Sequence, residues 1–103
     1  MTRVIFEGKR TGETVTETFN FISRLAAAET INSAVVTATV YSGTDASPSA
    51  IVSGSATISG QTVTQPITAG TLGVTYKLIC TITTSLSQTL LLMAFLTIVP
   101  DQN

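Results

Sequence analysis

The stretch from Gly73 to Val99 constrains this chain more than any other. Two runs rich in β-branched and aromatic residues, Val74–Ser85 and Thr89–Val99, flank the polar break Leu86-Ser87-Gln88. This pattern predicts two antiparallel strands joined by a tight loop, the closing hairpin of a β-sandwich. In the first run Val74, Tyr76, Leu78, Cys80 and Ile82 share one parity. Thr75, Lys77, Thr81 and Thr83 occupy the other, with Ile79 the exception. One face is buried and one is wet.

The second run differs. Leu90, Leu92, Ala94, Leu96 and Ile98 fill one parity, and Leu91, Met93, Phe95 and Val99 fill most of the other. A last strand at the edge of a small sandwich cannot bury two apolar faces in its own core, and a bare edge would add unpaired N–H and C=O groups beside them. Each such side chain left in water forgoes roughly 1.5–3 kcal/mol. The outer surface of Leu91, Met93, Phe95 and Val99 is therefore expected to meet another chain, or else the N-terminal segment of this one folded over it.

The length of 103 residues allows one domain with one core. Charged residues make up only 11% of the chain, under half the usual share. All but three of them lie before Thr30, so Asp45 and Lys77 alone charge the span from Thr30 to Pro100. A neutral surface rich in Thr and Ser is weakly protected against association. It suits a subunit packed among neighbours. The net charge of −1, with no basic cluster beyond Lys9-Arg10, excludes the footprint of a nucleic-acid binder.

The N-terminal residues 1–12 read as an extended arm, with the apolar patch Val4-Ile5-Phe6 and a loop from Gly8 to Gly12. Residues 13–103 form the domain. A first strand runs from Glu13 to Ile22, with Val15, Phe19 and Phe21 on one parity and the charge of Glu17 marking an edge. Ser23–Glu29 is too short for a stable helix and reads as a loop or one turn with Leu25 tucked inward. Thr30–Ser42 is the second strand, with Ala34, Val36, Ala38 and Val40 inward and Thr37 and Thr39 outward.

Gly43–Pro48 is a loop, and Ala50–Val52 and Ala56–Ile58 are short strands. Thr62–Thr68 follows, with Val63 and Ile67 inward and Pro66 placing it at an edge. About seven strands at roughly 8–12-residue spacing are the signature of an immunoglobulin-like β-sandwich. Tyr76 stands where such domains place a tyrosine that hydrogen-bonds back to a corner.

Groups that carry chemistry are scarce. Histidine is absent, and Cys80 is a lone cysteine on the inward parity, so no intramolecular disulfide forms. Glu13 and Glu17 share a parity but read as a solvated strand face rather than a catalytic pair. Gly70-x-x-Gly73 precedes a strand, which excludes a phosphate-binding loop, and no cluster of acids could hold a metal. No catalytic, cofactor or metal site is expected. No secretion signal is expected, since Met1–Lys9 lacks the apolar run of roughly 7–15 residues one requires, and the run from Leu90 to Val99 is about half the roughly 20 residues a membrane-spanning helix needs. The expected setting is the cytoplasm, or a particle built there.

One resemblance is specific. Lys9-Arg10-x-x-Glu13, Phe19-Asn20-Phe21, Leu25, Glu29-Thr30-Ile31-x-Ser33-Ala34, Gly70-x-x-Gly73-x-x-Tyr76 and Ile82-Thr83-Thr84-Ser85 together resemble the tail-fibre adaptor and neck proteins of tailed bacteriophages. Thr11 stands where that family usually carries proline, and Asn20 where it carries an acid. The likeness runs from Lys9 to Val99. It implies a non-enzymatic virion protein of immunoglobulin-like fold, assembled in several copies with portal, tail or fibre proteins.

Joined to the two-faced final strand, the resemblance makes Leu91, Met93, Phe95 and Val99, with Val4 and Phe6 of the arm, the expected interface. The alternatives are a capsid decoration protein or a glycan-binding module that reads sugars through Gly43–Pro48 and Tyr41.

Overall fold

The computed structural model describes residues 3–5, 8–10 and 12–99. Its strands are β1 (Arg3–Ile5), β2 (Lys9–Arg10), β3 (Val15–Asn20), β4 (Ile31–Ser42), β5 (Thr57–Ser59), β6 (Thr62–Ile67), β7 (Thr75–Thr84) and β8 (Thr89–Val99). Single 3-10 turns occupy Ile22–Arg24 and Pro48–Ile51. The closing hairpin pairs β7 with β8 in the register Thr75↔Thr97 to Thr83↔Thr89.

Two sheets stack into an all-β sandwich. One has the order β1-β8-β7-β4, with β2 also paired to β8; the other has the order β3-β6-β5. In the immunoglobulin scheme β4, β7 and β8 take the places of strands C, F and G, and β3, β6 and β5 those of B, E and D. Inward parities meet between the sheets. Phe19, Val63 and Ile67 come from one side, and Val36, Tyr76, Leu78, Cys80, Ile82, Leu92, Leu96 and Ile98 from the other. Leu25 packs against this core, as its position in the short turn predicts. Burial pushes the Cys80 thiol up to about 12, so it is an inert core residue.

Side chains tie the corners of this frame. Tyr76 is fully buried; its hydroxyl accepts the Thr71 amide at 2.9 Å and donates to Asp45 Oδ2 at 2.6 Å. That is the corner tyrosine expected at the start of the penultimate strand. Glu29, also buried, accepts the Ala26 amide through Oε1 at 2.8 Å. Its Oε2 makes no hydrogen bond of ordinary geometry, yet the neighbouring Thr84 hydroxyl and then the Ala26 amide hold the carboxyl below the usual carboxylate range. The buried Lys9 amine donates to the carbonyls of Ala69 at 2.6 Å and Arg10 at 2.8 Å. Burial pulls its pKa down, and the charge of Glu13 partly restores it.

Three expectations need correction. Ala50–Val52 is not a strand: Pro48 enters the first turn of a 3-10 segment that buries Ile51, and only Val52 bridges to Ile67. Pro66 does not sit on an edge strand, because β6 lies between β3 and β5. The ladder tolerates it because β5 has ended by then, pairing only Thr62–Thr64, and the Pro66 carbonyl turns to the Ser53 amide on that side. The missing N–H therefore falls outside both ladders.

The third correction concerns the edge of β8, which is not bare. Arg3–Ile5 pairs in parallel with Met93–Phe95, and Lys9–Arg10 with Ile98–Val99. Before β1 begins, the Arg24 guanidinium donates to the Leu91 carbonyl at 3.1 Å. The N-terminal segment thus closes the edge of the last strand by extending the sheet.

Candidate functional site

The edge is closed, and the outer face of β8 stays open. Alternation along Thr89–Val99 buries Leu92, Ala94, Leu96 and Ile98 and leaves Leu91, Met93, Phe95 and Val99 half-buried on the opposite side. The second sheet covers the inner face, and among the described residues no third layer covers the outer one.

The ladder shows what surrounds them. Val35, Thr81 and Leu91 form one row across β4, β7 and β8; Thr37, Ile79 and Met93 form the next; Thr39, Lys77 and Phe95 form the third. Tyr41, one step further along β4, lays its ring on Phe95 with centroids 4.6 Å apart and planes at 53°. Offset aromatic contacts of this kind add about 0.5–1.5 kcal/mol beyond area burial. Tyr41 is 62% and Val35 59% exposed.

Hydroxyl pairs border this patch at both ends. Thr75 and Thr97 share a hydrogen bond of 2.9 Å at one end, and Ser33 and Thr83 share a short one at the other. An apolar centre with a polar rim is the anatomy of a protein–protein contact surface.

The candidate residues from the sequence are therefore partly gathered. Leu91, Met93 and Phe95 lie side by side on this face. Val99 shares their parity at the far end of β8, where Gly8 passes so close that a Cβ there would sit 2.9 Å from Val99 Cγ1. Val4 is in β1, in register with Ala94. Phe6 lies outside the described residues, as do Pro100 and Asp101. Sequence reasoning missed Tyr41 and Val35 as members of the face. Their signal was an aromatic and a branched apolar residue on the outward parity of Thr37 and Thr39.

Elsewhere, a cleft of about 300 Å³ is lined by Gly8, Lys9, Arg10, Glu13, Val15, Thr16 and Glu17. The Lys9 amine there is engaged by two carbonyls, and Arg10 lies 3.8 Å from Glu13, whose other carboxylate oxygen accepts the Arg10 amide. These contacts fold the arm back onto the domain. Among the described residues no group of three or more potential ligands could hold a metal, and no helix is long and apolar enough to cross a membrane.

The family model described as Podophage GP4 fiber-tail adaptor protein gp77 matches residues 9–93. No curated protein matches the chain.

Proposed function

Since the chain belongs to the podophage GP4 fiber-tail adaptor family, we infer that it is a non-enzymatic subunit of a phage tail, docked among portal, tail and fibre proteins through the outer face of its larger sheet. The observation that carries this reading is the half-buried row Leu91, Met93 and Phe95, opposite the core and joined by the exposed Tyr41. A domain with its own complete core has no internal use for such a row. Covering it with a neighbour recovers roughly 1.5–3 kcal/mol for each large side chain that becomes buried. Val99 extends the contact along β8. Several copies are present in the virion and are incorporated during assembly in the host cytoplasm.

The test is genetic and structural. Particles grown without this protein should retain their DNA-filled heads and lack fibres under the electron microscope, and purified wild-type virions should contain it. Fully fibred particles made in its absence would refute the adaptor role.

A further inference from the structure

The two edges of the larger sheet are treated differently. The edge of β8 is closed by β1, β2 and Arg24. The edge of β4 is open: among the described residues its Ile31–Ser42 span pairs only with β7. The turn Pro48–Ile51 and the loop that follows run nearby, but their backbone hydrogen bonds go to each other and to β6 or its flanking residue Thr68. Between this loop and Ala34–Val36 lies a cleft of about 210 Å³, also lined by Gln65.

Native edges are usually blunted by charge, proline or shortness. β4 is 12 residues long and carries neither a charge nor a proline, and its register irregularities lie near its ends, between Ile31 and Ser33 and between Val40 and Ser42, which leaves Ser33–Val40 regular. We propose that two copies of this chain join β4 to β4, antiparallel, about a two-fold axis through Thr37, making one continuous sheet across both subunits.

The occupant follows from which edges are free and from the order of side chains. In a second copy the β8 edge is already paired, β5 is only three residues long, and β3 carries Glu17. β4 is the edge of matching length and neutrality. A two-fold at Thr37 sets Ala34 against the partner copy's Val40, and Val36 against its Ala38. Each inward pair then combines one small and one β-branched residue, so the added strand fills the space beside Ala34–Val36. On the outward side Val35 meets Thr39, and Thr37 meets its own copy as a threonine pair, a favourable cross-strand neighbour. An isologous contact of this kind closes on itself as a dimer.

Sedimentation from about 1 µM to about 1 mM, a range that spans weak protein contacts, tests the proposal. Wild-type chain is expected to pass from monomer to dimer, with amides of 34–40 gaining hydrogen-exchange protection as it does. Thr37 is exposed, so Thr37→Lys and Thr37→Glu should fold normally by circular dichroism, and each should stay monomeric because like charges face each other. Mixing the two variants should restore the dimer. Phe95→Lys should leave the dimer intact, which separates this edge from the outer face. A wild-type monomer at every concentration, a Thr37→Lys dimer, or failure of the mixture to associate overturns the proposal.

Discussion

The Tyr76 hydroxyl donates to Asp45 Oδ2 at 2.6 Å across 31 residues of sequence, and the Tyr76 phenol oxygen accepts the Thr71 amide at 2.9 Å. One buried phenol thereby joins the loop after β4 to the corner before β7. Tyr76→Phe should lower stability by about 1.5–3 kcal/mol, the range for a hydrogen bond to a charged group. In a domain of this size that is a fall in Tm on the order of 10 °C, measured by thermal denaturation.

The same contact sets an acid sensitivity. The Tyr76 hydroxyl and then the Ser47 amide hold the Asp45 carboxyl below its ordinary value of 3.8. The fold therefore binds this proton less readily than the unfolded chain. Its contribution is fully present above the ordinary carboxylate range and is lost as pH falls through the folded value. Between about pH 6 and about pH 3 wild-type protein should lose more stability than Tyr76→Phe, in which the larger cause is gone. Parallel losses in urea titrations of the two proteins would contradict this.

Gly70 has φ of +102°, and a Cβ there would lie 2.7 Å from Ile98 Cδ1 in the core. Gly70→Ala combines a left-handed alanine with an overpacked contact and should cost about 2–4 kcal/mol. Gly54, at φ of +71° with nothing within 4 Å, is the control. Gly54→Ala carries only the backbone term, about 1–2 kcal/mol. Denaturant midpoints of the two variants check the difference.

Lys9 fastens the N-terminal strands through the Ala69 carbonyl. Lys9→Met keeps the aliphatic stem and removes the donor. Exchange of backbone amides in Met93–Phe95 should accelerate at least tenfold relative to wild type while those of Leu78–Ile82 change little. Equal acceleration in both segments would mean that the whole domain, rather than the arm, has been loosened.

The fold was readable because alternation is a strong signal in a chain so poor in charge. β4, β6, β7 and β8 follow directly from their parities, and Tyr76 marks the corner. Pro66 misled because the rule that keeps proline off central strands concerns the N–H, and the length of β5, which decides whether that N–H is needed, is not written near Pro66. Ala50–Val52 looks like a strand by composition, but Pro48 two residues earlier starts a turn instead.

The edge of β8 depended on residues far away in sequence, Arg3–Ile5, Lys9–Arg10 and Arg24, which no local pattern connects to it. The residues that carry the family likeness, Lys9, Glu29, Gly70 and Tyr76, are fasteners of the frame. The candidate docking face is made of others.

That face carries the account, and Phe95 is its centre. The most direct measurement complements a phage lacking this protein with the Phe95→Lys chain and counts its incorporation into purified particles. The half-buried Phe95 is outside the core, so the variant should still fold, with its Tm lowered by roughly 2–10 °C through loss of the Tyr41 contact, and be depleted from particles at least tenfold. Incorporation at wild-type levels, or an unfolded variant, would contradict the claim that this face is where the subunit docks.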